Sequence, residues 1–427
     1  MKVFKFGGAS VKDADAIRNT ADIIRLYPNE EIVIVISAMG KITNALEEVV
    51  RAYFHGEGNL AEKWQFVKEY HYTEIDKLFA AKEAVYDDAN ALFEAVEQLF
   101  SAPATLSYDC VYDQIVSLGE LISTTIVSHY LNVADLPSTW VDARQLIRTN
   151  DTFREGKVDW EVTPEQFKRI VKPLLTNGYV VTQGFIGGTK DGLTTTLGRE
   201  GSDFTAAIAS FCLDAKNMTV WKDVPGILTA DPRLFKNATK LDRISFLEAI
   251  EMTYYGAKVI HPKTIKPLQN KSIPLLVKSF IDPKGEGTMI SENLEAAYPP
   301  VIVVEQNQAL LQVSRTDFSF VDEESLSELF ALFAHHRIKV NMMQNTAIGF
   351  SICVDNVAER IHGLMKDLQK FYKVFKDNNV ELVTVRHYEK SIVEQLKKGK
   401  MILLEERIRG TLKMVVKNVP IMERINR

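Results

Sequence analysis

The chain has few of the features that secreted, membrane-spanning or zinc-binding proteins need. Only three cysteines occur among 427 residues, and this odd, widely spaced set (Cys110, Cys212 and Cys353) fits neither a disulfide framework nor a zinc-ligand pattern. No apolar run approaches the length of a membrane span. Met1 and Lys2 lead directly into a short strand pattern, without the apolar segment of a secretory signal. We therefore expect a cytoplasmic protein with no membrane partner.

Neither sign of charge dominates the composition. The 51 lysines and arginines nearly balance the 56 aspartates and glutamates, for a formal net charge of -5. This balance gives no reason to expect a nucleic-acid partner. The hydrophobic content of 46% and the charged content of 25% are those of a soluble globular protein, and the length allows two or three domains.

Two strand patterns near the N-terminus each end in a loop of small residues. Val3–Phe6 runs into Gly7 and Gly8, and the apolar run Ile32–Ile36 ends in the polar loop Ser37–Asn44. A continuous β-branched run is typical of a buried parallel strand. Because ligands collect at the carboxyl ends of strands in open α/β sheets, we expect these loops to converge. The pattern predicts an α/β domain with a largely parallel central sheet flanked by helices.

A long polar loop, Thr194–Ala207, lies between the strand pattern Gly178–Phe185 and a helical run. Ser202 and Asp203 stand where that helix begins, and we expect them to act as its caps. The bare N–H groups of a helix N-terminus attract anions. A capped helix without any ligand is an equally weighted interpretation of the loop alone. The opposite charges of Arg199 and Asp203 in one tight loop favour a ligand site.

Two charged side chains elsewhere also fit a charged ligand. Lys5 ends a strand beside the double glycine, where its ammonium can lie along phosphate oxygens. Glu120 is flanked by apolar residues within the helical segment Leu118–Ser123, so we expect partial burial and a partner. An ion pair or a solvated helix face is the alternative to a carboxylate that captures an ammonium group. No Walker-type P-loop and no protein-kinase glycine loop occurs, so any phosphoryl transfer would use a different cradle.

Other segments of the first 300 residues are predicted from periodicity and capping signals. Leu46–Phe100 has the apolar stripes of two or three helices, with His71 expected at the surface. Thr163 and Pro164 mark a helix start, with Thr163 as the N-cap and Pro164 at the first helical position.

A linker composition at Ala296–Pro300 separates the chain into two predicted domains, 1–296 and 297–427. The second is predicted to be a smaller α+β domain that begins with separate strands at Val301–Val304 and Leu310–Arg315. Its helices are predicted at Glu323–Phe333 and Ala358–Phe375. Further strands are predicted at Ile338–Met343, Gly349–Asp355, Val380–Arg386, Met401–Leu404 and Leu412–Lys417. The basic cluster at 397–409 is expected to be a solvated face rather than a basic ligand surface.

Together, these loops resemble those of the aspartate kinases, enzymes of the amino-acid-kinase fold. The matching stretches follow the family's order over residues 1–290 and are Lys5–Ser10, Ser37–Asn44, Leu118–Ser123, Thr182–Gly187, Thr194–Ala207, Trp221–Ile227, Thr229–Arg233 and Gly256–Pro262. The resemblance implies transfer of the γ-phosphoryl group of ATP to the β-carboxylate of L-aspartate, which gives 4-phospho-L-aspartate. That reaction is the first step of lysine, threonine and methionine biosynthesis, and it implies ATP and Mg²⁺ as cofactors.

The resemblance also implies roles for individual residues. The catalytic set is Lys5, Asp203 and Lys258, with Asp203 implied to orient either Lys5 or the amino group of the substrate. The residues implied to bind ATP are Lys5, Gly7, Gly8, Lys222, Asp223, Leu228, Arg233 and Lys258. The residues implied to bind aspartate are Thr43, Glu120, Arg199 and Ser202, with Glu120 on the α-ammonium and Arg199 on the α-carboxylate. No side chain is assigned to a metal.

Three positions depart from the pattern of that family. Ala9 replaces a threonine, Glu200 replaces a glycine of the loop, and Leu228 stands where an aromatic residue near the base is frequent. Because Glu200 adds negative charge beside an anion site, we expect its side chain to point outward.

The C-terminal part resembles the ACT regulatory region of the same family through Ile338–Ala347. A glycine usual before the first helix is missing in 319–325, and Ile392–Lys417 lacks a clear helix-bearing repeat, so the second module is expected to be reduced or divergent. The resemblance implies a homodimer or larger assembly, with lysine or threonine as a feedback effector.

The sequence leaves two alternative functions open. Another enzyme of the same fold could act on a different acid or on a nucleotide, although Glu120 and Arg199 together favour an α-amino acid. A non-catalytic sensor of ATP or an amino acid could keep the fold, although Lys5, Asp203 and Lys258 are those expected of an active enzyme. The chain length leaves no room for a fused homoserine dehydrogenase, so we expect none.

Overall fold

The computed structural model of the protein describes residues 1–81, 83–101, 106–257, 260–292, 297–316, 320 and 322–418. The chain divides into two compact units. The first contains Met1–Ile227, Lys240–Thr253 and Lys258–Glu295, and the second contains Leu228–Thr239, Tyr254–Ala257 and Ala296–Arg427. The boundary between residues 296 and 297 as a domain limit stays a prediction.

An eight-stranded sheet forms the centre of the first unit. Its strands are β1 (Lys2–Phe6), β2 (Ile32–Ile36), β3 (Ser138–Val141), β4 (Tyr179–Gln183), β7 (Met218–Lys222), β10 (Arg243–Ser245), β11 (Leu275–Ser279) and β12 (Thr288–Ser291). Their order across the sheet is β10-β12-β11-β7-β1-β2-β4-β3. All neighbouring pairs are parallel except β11 with β12. The prediction of a largely parallel central sheet is confirmed.

Helices and short strands surround this sheet. The helices are α1 (Ala14–Arg25), α2 (Ile42–His55), α3 (Leu60–Leu78), α4 (Ala84–Ser101), α5 (Tyr108–Val116), α6 (Leu118–Val133), α7 (Ala143–Leu146), α8 (Val162–Gln166), α9 (Lys172–Leu174), α10 (Gly201–Cys212), α11 (Phe246–Tyr254) and α12 (Pro262–Asn270). A 3-10 turn covers Gly8–Val11 and a π-helical turn, Phe167–Val171, joins α8 to α9. The short strands are β5 (Ile186–Gly188), β6 (Thr194–Thr196), β8 (Ile227–Leu228) and β9 (Lys240–Leu241). Within the part of the chain that the structure describes, every helix is too short or too polar to cross a membrane.

The core of the first unit explains the apolar strands. Ile32–Ile36 is fully buried because β2 lies between β1 and β4 in the sheet and packs against α6 and α10. Trp221 of β7 stacks on Phe6 of β1, with ring centroids 6.0 Å apart, and meets Phe4 edge-on at 5.6 Å. These aromatic contacts fasten β1 to β7 and so fix the position of the loop that follows β1.

The predicted start of α8 is wrong. The helix begins at Val162, and the capping carboxylate belongs to Asp159, whose Oδ1 accepts hydrogen bonds from the amides of Glu161 at 2.9 Å and Val162 at 3.1 Å. The Thr163 hydroxyl lies inside the first turn and accepts a hydrogen bond from the amide of Arg148 at 3.2 Å. Aspartate and threonine are both good capping residues, so local sequence could not choose between them.

The expectation that His71 lies at the surface is also wrong. His71 of α3 is fully buried, and its Nδ1 lies 2.7 Å from the carbonyl oxygen of Val67. Burial lowers the pKa of His71 to about 4, so the ring is neutral at physiological pH. The helix packs on two sides, which one apolar stripe in the sequence does not reveal.

A six-stranded antiparallel sheet forms the second unit. Its strands are β13 (Val301–Arg315), β14 (Val340–Asn345), β15 (Gly349–Asp355), β16 (Tyr372–Arg386), β17 (Lys400–Ile408) and β18 (Thr411–Asn418), in the order β14-β15-β13-β16-β18-β17. The helices are α13 (Glu323–His335), α14 (Ala358–Leu368) and α15 (Lys390–Lys397). The prediction of a smaller α+β region after the parallel-sheet domain is confirmed.

Two element predictions in this unit are wrong. The two separate strands predicted at its start are one strand, β13, whose register shifts between Glu305 and Gln308. The predicted helix Ala358–Phe375 ends at Leu368 because the following residues pair with β13 in the sheet. Helix and strand signals overlap in this segment, and the long-range pairing decides between them.

The last part of the second unit repeats the order of elements found in its first part, which the sequence did not predict. β16, α15, β17 and β18 follow one another as strand, helix, strand and strand, which is the same succession as β13, α13, β14 and β15. The short α15 lies in the segment where no clear helix-bearing repeat was expected. Two of the basic residues of the 397–409 cluster form half-buried pairs with glutamates, Lys397 with Glu405 at 2.5 Å and Lys400 with Glu381 at 2.6 Å, so the cluster is only partly solvated.

Candidate active site

The loops after β1, β2 and β4 meet at the carboxyl edge of the sheet. The amide of Ser37 donates a hydrogen bond to the carbonyl of Phe6 at 3.1 Å, and the amide of Gly184 donates to the carbonyl of Ile36 at 2.8 Å. Each strand end is therefore tied to the start of the loop on the neighbouring strand. The predicted convergence of the loops is confirmed.

Glycines allow these loops to approach one another closely. The amide of Gly40 donates to the carbonyl of Gly8 at 3.0 Å, and a Cβ on Gly8 would lie 2.8 Å from the carbonyl oxygens of both Ala38 and Gly40. A Cβ on Gly184 would lie 2.4 Å from the Cβ of Ser202. Any larger side chain at Gly8 or Gly184 would separate the loops that form the site.

A buried carboxylate binds two lysines at the centre of this region. The Lys5 Nζ lies 2.7 Å from Asp203 Oδ1, with side chains 10% and 5% exposed, and the Lys222 Nζ lies 3.9 Å from Asp203 Oδ2. Burial on its own raises the pKa of Asp203, but the charges of Lys5 and Lys222 together lower it below its ordinary value. A Cβ on Gly7 would lie 3.5 Å from the Lys5 ammonium, so the glycine leaves room for a ligand beside it.

The capping role expected of Ser202 and Asp203 is wrong. α10 begins at Gly201, after Glu200, and no side chain caps its first amides by hydrogen bonding. Ser202 and Asp203 lie in the first turn, where the Asp203 carboxylate faces Lys5 instead of the helix amides. The Asp203 carboxylate therefore pairs with a charged ammonium from a distant strand in place of a local cap.

Glu200 has the backbone conformation that favours glycine. Its φ is 55° and its ψ is 28°, in the left-handed region, which costs ~1–2 kcal/mol for a residue with a Cβ. The residue is exposed, which agrees with the expectation that its charge points away from the site.

Glu120 of α6 is the second buried carboxylate of the site. It is 3% exposed, and its Oε1 accepts a hydrogen bond from the amide of Ala38 at 3.3 Å. Its Oε2 has no hydrogen-bond partner among the described residues. Burial raises the pKa of Glu120 to about 8.

These facts distinguish the two interpretations of Glu120. Its burial excludes a solvated helix face, and the described part of the chain contains no ion pair to this carboxylate. With its pKa raised to about 8, the buried acid is mostly uncharged at pH 7, and a cation beside its free oxygen would favour the ionised form. An ammonium group of a ligand would supply that cation.

The other residues expected to bind the substrate are less enclosed. Arg199 is exposed, and within the described ranges its guanidinium has no hydrogen bond or ion pair. Thr43 is half-buried in the first turn of α2, and Ser202 is 8% exposed in the first turn of α10. Arg199 therefore stays available for an anionic ligand.

Two residues that sequence reasoning missed hold the strand before Arg199. The Asp113 carboxylate of α5 accepts hydrogen bonds from the amide and the hydroxyl of Thr196, both at 2.8 Å. Gln114 binds both backbone groups of Thr194, at 2.8 Å and 3.1 Å. Burial raises the pKa of Asp113 to about 6. The sequence signal that could have identified Asp113 is its position as a charged residue in the apolar segment before Glu120.

The structure describes all of the residues expected to bind ATP except Lys258. Lys222 is half-buried at the end of β7, next to the exposed Asp223. Leu228 and Arg233 belong to the second unit, where the Arg233 guanidinium pairs with a neighbouring aspartate at 2.6 Å. Lys258 lies outside the described residues. The described residues contain no group of three or more histidine, cysteine or acidic side chains that could hold a metal ion.

Comparisons with known proteins agree with this geometry. Residues 1–279 match the amino acid kinase family. The chain is 34% identical over 393 residues to lysine-sensitive aspartokinase 3 of Escherichia coli, covering 90% of this chain and 86% of that one. It is 33% identical over 364 residues to chloroplastic aspartokinase 1 of Arabidopsis thaliana, covering 83% of this chain and 63% of that one.

Solved structures extend the likeness to both units. E. coli aspartokinase III in complex with lysine and aspartate superposes with a TM-score of 0.84 at 31% identity, covering 98% of this chain and 96% of that one. The same enzyme in complex with aspartate and ADP superposes with a TM-score of 0.80 at 31% identity, covering 97% and 96%. With its lysine–aspartate cluster at the carboxyl edge of a parallel sheet, the chain belongs to the amino acid kinase family and, within it, to the aspartokinases.

Proposed function

We propose that this protein is an aspartate kinase that transfers the γ-phosphoryl group of ATP to the β-carboxylate of L-aspartate. The product is 4-phospho-L-aspartate, the first intermediate on the route to lysine, threonine and methionine. The observation that carries the proposal is the buried Lys5–Asp203 pair, with the half-buried Lys222 beside it, at the same sheet edge as the buried Glu120. The ammonium groups of Lys5 and Lys222 suit phosphates, and the carboxylate of Glu120 suits an α-ammonium group.

The chemistry needs cations rather than a general base. The β-carboxylate of aspartate has an unperturbed pKa of ~3.9 and is already an anionic nucleophile at neutral pH. The difficulty is to bring it next to the phosphates of ATP. Lys5 and Lys222 would offset that repulsion and stabilise charge on the transferred group, while the amides around Gly7 and Gly8 face the phosphate oxygens.

Asp203 keeps the Lys5 ammonium in one position. The two side chains are 2.7 Å apart and nearly enclosed, so the lysine cannot turn towards solvent. Asp203 therefore acts as a positioning residue in this proposal, and Lys5 is the group that touches the phosphates.

The residues present fit Mg²⁺ that arrives on the nucleotide. Mg²⁺ usually keeps several waters and binds through phosphates with one or two carboxylates, so it needs no cluster of three acidic side chains. When bound, the ion would neutralise charge on the β- and γ-phosphates.

Aspartate would be held at three points. Glu120 accepts the α-ammonium, Arg199 binds the α-carboxylate with its two-pronged guanidinium, and the hydroxyls of Thr43 and Ser202 complete the site. Burial of Glu120 and the absence of an internal partner for Arg199 within the described residues support these roles. The contributions of Asp223, Leu228, Arg233 and Lys258 to ATP binding remain proposals from the family resemblance.

The first experiment is a measurement of ADP release with Mg-ATP at increasing concentrations of L-aspartate. Turnover that requires aspartate, and that L-glutamate and uridine monophosphate do not replace, would support the proposal. ATP binding without turnover would indicate the non-catalytic sensor instead, and turnover with another acceptor would indicate a different kinase of this fold.

We also propose feedback control and assembly through the second unit. The solved complex of E. coli aspartokinase III with lysine supports an effector site in a relative, and lysine is the effector we test first, followed by threonine. An ACT-like region would pair two copies into a homodimer or larger assembly in the cytoplasm. Inhibition by one amino acid would name the effector, and a monomer by light scattering at micromolar concentration would contradict the assembly.

A further inference from the structure

The first unit has a cavity whose residues take no part in the proposed reaction. It has a volume of about 400 Å³, within the range of small-molecule sites. It lies between α7, the helix α8 with its π-helical turn, and the turn of the β5–β6 hairpin. Its polar lining residues include Arg144, Gln145, Arg148, Gln166, Arg169 and Lys190.

The lining is strongly cationic. Arg144 is bound by the Asp142 carboxylate at 2.6 Å. The other three cations, Arg148, Arg169 and Lys190, have no ion pair with a carboxylate in the described part of the chain. No aspartate or glutamate lines the cavity. Three positive charges around one concave space repel one another unless an anion joins them.

Neutral groups orient two of the three uncompensated cations. The Arg148 Nη1 donates to the carbonyl of Thr189 at 2.6 Å, and the Arg169 Nη2 donates to Gln166 Oε1 at 2.5 Å. The partly buried bond to Thr189 orients the Arg148 guanidinium, the bond of Arg169 lies at the surface, and neither bond cancels a positive charge. A guanidinium in a fixed position binds a phosphate with two parallel hydrogen bonds, which a flexible ammonium does not do.

A backbone feature marks the same place. Arg169 and Ile170 of the cavity lie in the π-helical turn Phe167–Val171. Such turns are rare in proteins and occur frequently at functional sites. Arg169 lies within this turn, and its side chain lies three positions after Gln166 on the same face of the helix.

We propose that this cavity binds a small phosphoanion, with Arg148, Arg169 and Lys190 as its ligands. The site is separate from the phosphate position at Lys5, because the two share no residue. A compact anion with two or more negative charges fits both the volume and the three cations. The proposal does not depend on which acceptor the enzyme phosphorylates.

Inorganic pyrophosphate is the probe for this site. Titration calorimetry of the full chain compares the wild type with the double variant Arg169→Gln/Lys190→Gln, in which both exposed cations become neutral. Arg51→Gln, which breaks an exposed pair with Glu48, is the matched control for loss of a surface charge. Lys5→Ala separates this site from the proposed nucleotide site.

The expected result is pyrophosphate binding that survives Lys5→Ala and Arg51→Gln but weakens ~10-fold or more in the double variant. Unchanged unfolding midpoints would show that the double variant is folded, since both residues are exposed. No binding to the wild type, equal binding to the double variant, or loss of all binding with Lys5→Ala would each overturn the proposal. Arg148→Gln is the second test, and it is expected to weaken binding by a similar factor.

Discussion

The ammonium of Lys5 lies 2.7 Å from the carboxylate of Asp203, although 198 positions separate the two residues in the chain. The pair joins the first strand of the sheet to the first turn of α10. Both side chains are almost fully enclosed, so neither charge is compensated by bulk water. This contact therefore links the stability of the first unit to the geometry of its site.

We predict that Asp203→Asn removes activity and stability together. The substitution leaves Lys5 buried without its anion, and loss of one partner of a buried pair costs about 3 kcal/mol or more. We expect a lower free energy of unfolding in urea, together with a reduced kcat. Asp242→Asn is the control, because its exposed pair with Lys240 is expected to contribute less than ~1 kcal/mol. Equal effects of the two substitutions would contradict the assigned role of Asp203.

We predict that Lys5→Ala lowers kcat by ~10²-fold or more, as loss of other preorganised charge stabilisers does. Lys2 is the matched control on the same strand, since its ammonium pairs with Glu30 at 2.9 Å rather than with a site residue. Lys2→Ala is expected to leave kcat nearly unchanged in the same ADP-release assay. Near-normal turnover in Lys5→Ala would exclude Lys5 from the mechanism.

We predict that aspartate binds more tightly as the pH rises towards 8. Burial raises the pKa of Glu120 to about 8 in the free protein, so most molecules carry a protonated Glu120 at pH 7. An α-ammonium group favours the ionised carboxylate, so binding must release this proton. The aspartate affinity is expected to increase up to ~10-fold per pH unit below 8 and to level off above it.

Calorimetry in two buffers with different heats of ionisation measures that proton release directly. Glu120→Gln is expected to abolish the release and to weaken aspartate binding. The pKa of Glu120 is higher in the folded protein than in the unfolded chain. Its contribution to the stability of the free protein is therefore complete at pH values below the pKa of the unfolded chain, and it is lost as the pH rises through 8. Binding without any proton exchange at pH 7 would contradict the assigned role of Glu120.

We predict that Gly184→Ala destabilises the first unit and raises the KM for aspartate. Its new Cβ would lie 2.4 Å from the Cβ of Ser202, so the start of α10 must move. Overpacking of this kind typically costs about 1–3 kcal/mol. Gly410→Ala is the control, because no atom lies within 4 Å of its new Cβ. Thermal unfolding and aspartate kinetics of the two variants test the prediction, and similar melting temperatures would contradict it.

Some elements could be predicted from the sequence because their signals are local. The apolar run Ile32–Ile36 has the same bounds as β2, and Gly349–Asp355 has the same bounds as β15. Both segments are short, contain β-branched residues, and begin or end next to polar or small residues. Some wrong predictions concern places where two local signals compete, as at Thr163 and Asp159, or where helix periodicity continues into a strand, as after Leu368. Others, such as the surface position expected of His71, depend on long-range packing.

The sequence by itself determined which strands end in small polar loops and which charged residues those loops carry. It also indicated an α/β domain followed by an α+β region, because periodicity and turn residues act over a few positions. The family resemblance implied that Asp203 orients either Lys5 or the amino group of the substrate. Only the tertiary structure decided that Asp203 pairs with Lys5 and caps no amide of α10, that Glu120 is buried with one free oxygen, and that Asp113 anchors the strand before Arg199. The physical reason is that burial and charge pairing depend on contacts between distant parts of the chain, which no local pattern contains.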